Sequence, residues 1–540
     1  MVEPGVELDP PVLPLGQLDL DLADDPVDVP LALELGRDGA RPPRALDVLQ
    51  AEALVLEARG EPLGDGPLGA RRTSLAEAPV IETSRTEGSV RIDTAAVEGL
   101  PNNGRNFLDF IKLTPGVTIV QGPDGDELSI NGQKGIANNI SVDGADFNNP
   151  FFGEQRGGQR PAFTFNQDAI QEVVVVGQGA PAEFGRSAGG FVNVLTKSGT
   201  NELEGSAHYF GQGDALSSDF ARGGGNPDFT QHQFGFTLGG PLSRDKAFFF
   251  VSYDQQEFDQ TKQTTRLVNE PAEFAKLQAF LQSALGGALA DDFGPIDRTN
   301  DAKALFAKLD FNLSDTQTAA LKYTYTTAEQ VNGTFDVDAW GRSSNGIERD
   351  HSHAVSGSLH SQLSGTVSNE FRFQWAREDR PREYSGPTIP GQSRPFPDTG
   401  IGFADGYRLG LPFFLPIDPA FDTRIQLVDN VSLLRGDHLY KAGVEYNRTT
   451  MDQTFVGFGN GRFLFSSVDG FINYVNEGPT YVECSDGSSS LVGSCPAGTE
   501  IVGPLTPSPP DPARPTLAVP SAKPRWCTTR RWTTRRTRSP

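Results

Sequence analysis

Apolar and polar residues alternate along the chain in about nine segments between residues 204 and 451, each roughly 8–14 residues long. In Gln231–Gly239, for example, Phe234, Phe236 and Leu238 fall on one side of an extended chain. A period of two residues is the pattern of a β-strand with two unlike faces. The pattern therefore predicts strands over 204–213, 231–239, 246–258, 303–313, 319–326, 352–363, 367–378, 423–434 and 441–451.

The connections between these segments are short and long in turn. Short turns such as Gly240–Asp245 and Arg435–Asp437 follow alternate segments, whereas connections without a regular pattern, 212–229, 259–301, 327–350 and 379–422, follow the others. Short turns at one end and long loops at the other are typical of a transmembrane barrel, whose strands need only about 10 residues. A β-sandwich seldom carries four long unstructured connections. We therefore expect an antiparallel meander in which each strand pairs with its neighbours.

A different pattern covers residues 85–200. Short β-branched runs, among them Val173–Val176 and Phe191–Thr196, are separated by turns rich in Gly and Asn. Asn131-Gly132 and Asp143-Gly144 are dipeptides that favour tight turns. We predict a small α+β domain with a short helix near Arg105–Lys112 and strands at about 88–94, 116–121, 127–131, 138–142, 170–176 and 191–197.

The motifs of this region follow one another in a specific order. Glu183–Gly190 (EFGRSAGG) lies between the last two predicted strands, and upstream lie Leu100–Phe107 (LPNNGRNF), Ser129–Gln133 (SINGQ) and Ile140–Ala145 (ISVDGA). These motifs and their order resemble the plug domain of TonB-dependent outer-membrane transporters, in particular the Oar-like group. The resemblance continues, more weakly, to about Asn476.

The resemblance implies a β-rich chain with a small α+β plug domain, an incomplete antiparallel transmembrane β-barrel, and disordered or aberrant N- and C-terminal segments. The expected divisions are an arm (1–74), the plug (75–200), a partial barrel (201–480), and a loop with an aberrant tail (481–540). The implied function is energy-coupled uptake of an unidentified solute across the cell outer membrane, without enzyme activity or a cofactor. The implied partners are outer-membrane lipid, a TonB-type energy-coupling protein and the solute. The alternative is an outer-membrane structural or adhesion protein that displays the long loops.

The resemblance also implies a lock between plug and barrel. Arg186, which follows Glu-Phe-Gly, is expected to pair with Glu183 or with an acidic residue of the barrel wall. A guanidinium group suits a bidentate contact with a partly buried carboxylate. The plug motif comprises Asn131, Gly132, Asp143, Gly144, Gly185, Gly189 and Gly190.

Four phenylalanines lie in the expected plug loops: Phe147, Phe151, Phe152 and Phe163. Outward-facing aromatic side chains would contact the solute. The alternative is that they pack the plug against the barrel wall, since most aromatic burial is structural.

Composition narrows the function further. The net charge of −24, from 46 basic and 70 acidic residues, makes nucleic acid an unsuitable partner. His351 and His353 share one face of a predicted strand, but two imidazoles at a solvated loop end are too few ligands for a metal, and we predict none. Cys484 and Cys495 lie in a Gly/Ser-rich loop, where an oxidising compartment would join them in a disulfide; two free thiols are the alternative.

The two ends of the chain differ from the rest. Residues 1–74 contain no aromatic residue and no persistent period, although Leu46–Glu57 could form one helical piece. We interpret this arm as disordered or as translated out of frame, in place of the signal peptide and carboxypeptidase regulatory-like domain that the resemblance implies. The arm also takes the place of the segment that, by the resemblance, contacts the TonB-type protein, so the sequence leaves open whether that segment is intact. The basic stretch after Thr506 receives the same two interpretations.

The strand count completes the sequence prediction. A barrel that encloses a plug of this size needs about 22 strands. We therefore expect a fragment whose sheet has open edges near 204–213 and about 462–476, and which does not insert stably on its own.

Overall fold

The computed structural model describes the backbone of residues 48–51 and 55–58, and residues 88–100, 102, 104–122, 125–151, 153, 155–157, 163–180, 183–217, 228–262, 271–333, 340–402, 406–455 and 461–504. The predictions for the rest of the arm, for 75–87, for Phe152 and for the tail from 505 onward lie outside these residues. Two short strands fall within the arm, β1 (Val48–Ala51) and β2 (Val55–Ala58). Both pair antiparallel with residues 438–447, so the helical piece expected at Leu46–Glu57 is wrong.

Residues 88–200 form the plug domain. Its elements are β3 (Gly88–Ile92), α1 (Thr94–Gly99), α2 (Leu108–Ile111), β4 (Val117–Gly122), β5 (Gly125–Ile130), β6 (Asn139–Val142), β7 (Ala145–Asp146), β8 (Ile170–Gln178) and β9 (Phe191–Thr196). Five strands make a sheet in the order β3-β8-β9-β6-β7, and β4 pairs with β5 in a separate hairpin. Only β6 and β9 run parallel. Every predicted plug strand is confirmed, as is the short helix.

The plug encloses an apolar core of its own. Val173, Val175, Val192 and Val194 are fully buried on one face of its sheet. Helix α1 was not predicted; it begins after Asp93, whose carboxylate accepts a hydrogen bond from the backbone N–H of Ala96. This contact is a normal N-cap, since the first N–H groups of a helix have no partner within it.

The remaining described chain forms a large sheet and an assembly of loops. In order, its elements are β10 (Glu204–Gly213), β11 (Phe229–Ser243), β12 (Ala247–Lys262), α3 (Pro271–Ser283), β13 (Ile296–Thr299), β14 (Asp301–Ser314), β15 (Gln317–Val331), β16 (Gly346–Ser364), β17 (Val367–Asp379), β18 (Arg382–Tyr384), β19 (Asp398–Ile401), β20 (Tyr407–Leu409), β21 (Ile417–Arg435), β22 (His438–Phe455), β23 (Arg462–Phe465), α4 (Val468–Glu477), β24 (Val482–Cys484), β25 (Ser489–Ser490) and β26 (Ile501–Gly503). None of the helices in the described ranges is long and apolar enough to cross a membrane.

Nine long strands make an antiparallel meander in the order β10-β11-β12-β14-β15-β16-β17-β21-β22, which we call the wall. They correspond one to one with the nine alternating segments, so the predicted strands and their neighbour-to-neighbour pairing are confirmed. Within the described part of the chain, β10 pairs only with β11. At the other end β22 pairs with β21 and with the two arm strands.

The wall has an apolar outer face and a polar inner face. Phe234, Phe236 and Leu238 are 37–46 % exposed on the outside of β11, whereas Gln233, just before them, is 2 % exposed on the inside. The same arrangement recurs on β21, where exposed Ile425 alternates with buried charged and amide side chains. A protein that places its apolar side chains outward and its polar ones inward is built for contact with lipid.

The long connections fold together into one body, which we call the loop assembly: Pro271–Phe293, Ile389–Leu409 and Arg462–Tyr481. Its core contains Leu277, Leu281, Phe396, Leu409, Phe463, Phe471 and Tyr474, all nearly or fully buried. The expectation of unstructured connections is therefore wrong for the described parts of 259–301 and 379–422. The strand edge expected at about 462–476 is also wrong, because β23 leaves the wall to pair with β19 and residues 468–477 are helix α4.

The chain after the loop assembly forms a small three-stranded sheet in the order β25-β24-β26. A disulfide joins Cys484 and Cys495, whose Cα atoms are 5.7 Å apart. The residues between them are mostly exposed, so the disulfide closes a surface loop.

Candidate functional site

The plug touches the inner face of the wall at several points, and most of these contacts are between charged groups. At the first, the tight hairpin β6–β7 presents Asp146 to the wall. Arg186 Nη1 lies 2.7 Å from Asp146 Oδ2, and Arg424 of β21 pairs with the other carboxylate oxygen. The backbone N–H of Asp146 donates to Gln426 Oε1 at 3.0 Å. Asp146 therefore connects the plug motif to the wall.

Charge determines the protonation state of this carboxyl group. Burial of Asp146 by itself raises its pKa, but the guanidinium groups of Arg424 and Arg186 outweigh burial and hold the pKa at about 2. Hydrogen bonds from Asn148 act in the same direction. Asp146 is thus an anion at any physiological pH.

The expected partner of Arg186 is wrong in detail. Its carboxylate comes from Asp146 of the plug, not from Glu183 or from an acidic residue of the wall. Glu183 instead reaches the wall itself, 2.9 Å from Lys441 Nζ on β22. At this point the wall contributes the cations and the plug contributes the carboxylates. The expectation was the reverse, a plug arginine paired with a wall carboxylate.

At the second contact, the plug loop after Asp146 reaches two wall carboxylates. Asn149 Nδ2 donates to Glu378 Oε2 at 2.7 Å, and the N–H of Gly157 donates to Glu378 Oε1 at 2.6 Å. Arg156 is 1 % exposed, and its Nη2 atom lies 3.7 Å from Asp422 Oδ1. No nitrogen of the Arg156 guanidinium group makes a hydrogen bond to an atom of the described residues, so its attachment to the wall is electrostatic.

The third contact involves Asp143 of the Asp-Gly turn. Lys322 Nζ of β15 lies 3.0 Å from its Oδ2 atom, and Thr196 donates to it through its N–H and its hydroxyl. Lys308 of β14 donates to Thr196 Oγ1 at 3.1 Å. The turn therefore holds the end of the last plug strand and a wall cation at the same time.

The fourth contact lies beside the first wall strands. Arg105 pairs with Asp168 of the plug at 2.5 Å and with Asp254 of β12 at 3.4 Å, and His208 Nδ1 of β10 lies 2.9 Å from Asp168 Oδ2. A cavity of about 560 Å³ opens next to this cluster, lined among others by Asn102, Gln167, Phe210, Gln231 and Gln233.

One contact between plug and wall is apolar. Phe163 packs with Ala302, Ala304 and Ala328, and the ring of Phe165 lies 5.6 Å from the ring of Phe306, centroid to centroid. Phe306 in turn lies 6.3 Å from Phe250 of β12. This contact covers the inner face of β12, β14 and β15.

The structure separates the four candidate aromatic residues. Phe147 and Phe163 are 4 % and 3 % exposed, so the interpretation that they contact a solute is wrong for them in this conformation, and they pack inside the protein. Phe151 is 54 % exposed beside a small pocket lined by Phe421 and Met451. Phe152 lies outside the described residues.

The plug-motif residues surround the centre of the plug sheet. Asp143 and Gly144 have φ values of +48° and +75° and form the two-residue turn between β6 and β7; Asn131 and Gly132 have the same left-handed conformation. A Cβ on Gly190 would lie 2.7 Å from Ile130, so only glycine fits there. Gly185 accepts a hydrogen bond from Asn139 Nδ2, and Gly189 donates one to the carbonyl of Ala137.

Sequence reasoning missed the wall residues of the site: Lys322, Glu378, Asp422, Arg424 and Lys441. A signal is present for all but Asp422, since each of the others lies in an alternating segment that also turns other polar residues inward, whereas Asp422 falls in the connection 379–422. Alternation along a strand predicts which side chains point inward. It does not predict which plug residue each inward charge contacts, because contacts between distant residues leave no trace in the period of the sequence. His351 and His353 contact the hydroxyl groups of Thr327 and Tyr323. No described group of His, Cys, Asp and Glu residues is placed to hold a metal.

Comparison with known families agrees with this architecture. The profile of the outer membrane beta barrel domain matches residues 195–284 and 275–480, and the profile of the TonB-dependent receptor plug domain matches residues 83–192. The chain belongs to the TonB-dependent receptors of the outer membrane. Its location is accordingly the outer membrane.

Individual relatives cover only part of this receptor. It is 31 % identical over 191 residues to the TonB-dependent transporter Oar of Myxococcus xanthus, an alignment that spans 32 % of this chain and 17 % of Oar. The outer membrane transporter YddB of Escherichia coli superposes with a TM-score of 0.49 at 14 % identity, over 78 % of this chain and 52 % of that one. A mutant of the ferric enterobactin receptor PfeA of Pseudomonas aeruginosa gives 0.47 at 16 % identity, over 68 % and 49 %. The chain thus spans about half the length of these solved relatives.

Proposed function

We propose that this receptor takes up a solute across the outer membrane, with the plug closing the lumen at rest and a TonB-type protein supplying the force that opens it. The observation that carries the proposal is the set of charged contacts between plug and wall, above all Asp146 with Arg424. A plug that never moved would gain more stability from apolar packing than from buried ion pairs. Ion pairs suit a contact that must form and break, because water can replace either partner.

The exposed Phe151 and the loop that carries it are the proposed place of first contact with the solute. Phe151 lies next to Asn149, which is bonded to the wall. A solute that displaces the Phe151 loop therefore acts directly on the second plug–wall contact. Binding that favours the released loop shifts the population of the plug toward release.

The proposed energy-coupling partner acts on the segment before residue 88. This segment is continuous with β3, which pairs with β8 at the edge of the plug sheet. Tension on an edge strand separates its hydrogen bonds from one end, and so needs less force than pulling a central strand.

The test is uptake of labelled solutes by cells that carry the receptor. A panel of ferric siderophores, malto-oligosaccharides and peptides would be offered to cells with and without a working TonB protein. We expect one class to accumulate only when both the receptor and TonB are present. Surface binding without TonB-dependent accumulation of any member would contradict transport and favour a structural or adhesion role.

A further inference from the structure

The plug is held to the wall by two unlike faces. The anchor face consists of Phe163 and Phe165 against Phe250, Ala302, Ala304, Phe306 and Ala328. The release face consists of Asp146, Asn149, Arg156 and Gly157 against Glu378, Asp422, Arg424 and Gln426. The anchor face belongs to β12, β14 and β15, and the release face to β17 and β21.

Water affects the two faces in opposite ways. Separation of the anchor face exposes aromatic rings and methyl groups, which is unfavourable in proportion to the apolar area uncovered. Separation of the release face gives buried charges back the hydration that they lost on assembly, which offsets most of the lost attraction. The release face therefore opens more easily in a water-filled lumen.

Buried polar atoms without hydrogen bonds also favour opening of the release face. Among the described residues, the three guanidinium nitrogens of Arg156 and the Oδ1 atom of Asp422 are buried without a hydrogen bond to protein, whereas the unbonded buried hydroxyl groups of Thr164 and Ser252, beside the anchor face, are uncharged. Buried polar atoms without partners are rare in proteins and are normally satisfied by water. The wall side chain of Gln374, next to this face on β17, has an unbonded Oε1 atom and is 4 % exposed. Water entering here gains partners that the protein does not supply.

We propose that the plug stays on its anchor face during transport, and that the passage for the solute opens along the release face, between the plug and strands β16, β17 and β21. The ion pair of Asp143 with Lys322 lies on the anchor side and stays in place with it. The inference rests on the proposed function and adds the side of the lumen on which the solute passes.

The test uses single cysteines on the wall and a membrane-impermeant maleimide added to growing cells. Cys527 is first replaced by serine; Cys484 and Cys495 are joined in their disulfide and stay. Gln374→Cys reports on the release side, and Ala304→Cys, 2 % exposed on β14, is its matched control on the anchor side. Each variant is labelled with and without a protonophore, and heat-modifiability on gels verifies assembly. Ser352→Cys and Ala302→Cys, also buried, form a second pair should either variant fail to assemble.

We expect energised cells to label Gln374→Cys several-fold faster than cells treated with protonophore, and Ala304→Cys equally slowly in both. Energy-dependent labelling of Ala304→Cys alone, or of both variants to the same extent, would overturn the anchored plug. Labelling of neither, in cells that show TonB-dependent uptake of a solute, would overturn the route but leave the proposed function standing. If uptake is absent as well, the proposed function fails and this inference falls with it.

Discussion

Asp146 is the residue on which the attachment of the plug depends most. It is 4 % exposed and pairs with both Arg186 and Arg424, of which Arg424 is 1 % exposed. Asp146→Asn leaves Arg424 buried without its paired carboxylate. Removal of one partner from a buried ion pair costs about 3–5 kcal/mol, so we expect the plug to loosen. The measurement is sensitivity of cells to vancomycin, which an intact plug excludes.

Glu183→Gln is the matched control for that variant. Its ion pair with Lys441 also joins plug to wall, but the two side chains are 27 % and 41 % exposed. Exposed pairs contribute about 0–1 kcal/mol, so vancomycin sensitivity should stay at the level of the unaltered receptor. Equal sensitivity of the two variants would show that burial of Arg424 does not matter.

Asp292 gives the loop assembly a pH dependence. Burial raises its pKa from 3.8 to about 6, against the hydrogen bonds donated by the N–H and hydroxyl of Ser343. The folded state therefore holds a proton that the unfolded state has released. The stabilisation is complete below about pH 4 and is lost as the pH rises through 6, by about 3 kcal/mol. Protease digestion of the loop assembly on intact cells should be slower at pH 4.5 than at pH 7.5.

Asp292→Asn should remove this difference. An asparagine stays neutral at every pH; its Oδ1 atom can accept from the N–H of Ser343, and its amide can donate to the hydroxyl. A difference that persists in this variant would assign the pH dependence to another group.

Single residues were only half predictable. The Glu-Phe-Gly-Arg motif identified Arg186 as a buried-contact residue of the plug, because the motif is local. Its partner lies 40 positions away in the sequence, and Arg424 lies in another domain. A carboxylate at 146, 183 or in the wall satisfies a guanidinium group equally well, and the choice among them is made by the tertiary fold.

At the scale of elements, the wall strands were predictable and the loop helices were not. In a wall strand the alternation repeats over ten or more residues, so the pattern is easy to recognise. A helix of about three turns inside a long connection repeats its pattern only two or three times. The signal for α4 is nevertheless present. Ser467 accepts a hydrogen bond from the N–H of Gly470 as an N-cap, and Val468, Phe471 and Tyr474 follow at helical spacing on the buried side. Phe463 and Phe465, in alternation just before them, do lie in a strand, β23, but this strand pairs with β19 instead of forming the edge of the wall.

The outward face of a wall strand predicts where a charge is not tolerated. Leu427 on β21 is 40 % exposed between buried Gln426 and Val428. Leu427→Arg would place a cation against lipid, which costs about 2–4 kcal/mol near the middle of the membrane. We expect less heat-modifiable receptor in the outer membrane. Leu427→Phe keeps the face apolar and should assemble normally; equal loss in both variants would show that this face does not meet lipid.

The disulfide between Cys484 and Cys495 closes a loop with a sequence separation of 11. A closed loop of this length stabilises the folded state by about 3 kcal/mol, mainly through the unfolded chain. The double variant Cys484→Ser/Cys495→Ser should be cut by elastase-like proteases within 484–503, while the wall stays intact. Unchanged digestion would mean that strands β24–β26 hold this region without the bond.

At the scale of the whole molecule, the meander followed from the sequence because each strand pairs with its neighbour in the chain. Contacts between distant parts did not follow in the same way. The loop assembly joins three stretches that are separated by wall strands, and its core includes Phe293, Phe396 and Phe463 together. Its further contact, from Ser343 to Asp292, draws in a fourth connection. The residue pattern within one connection does not reveal which other connections it packs against.

The shared core of the loop assembly also restricts how this receptor can diversify. Surface segments of bacterial proteins are exposed to phages and antibodies, and loops that stand alone can change one at a time. Here Leu281 shares a closely packed core with residues of other connections. A larger side chain at this position therefore requires a compensating substitution among those residues. Free variation is left to positions such as Leu491 and Val492, which are 54 % and 78 % exposed inside the disulfide loop. Among related strains, single substitutions that avoid phage or antibody binding should accumulate in the disulfide loop. Substitutions in the core of the loop assembly should occur only in pairs or groups.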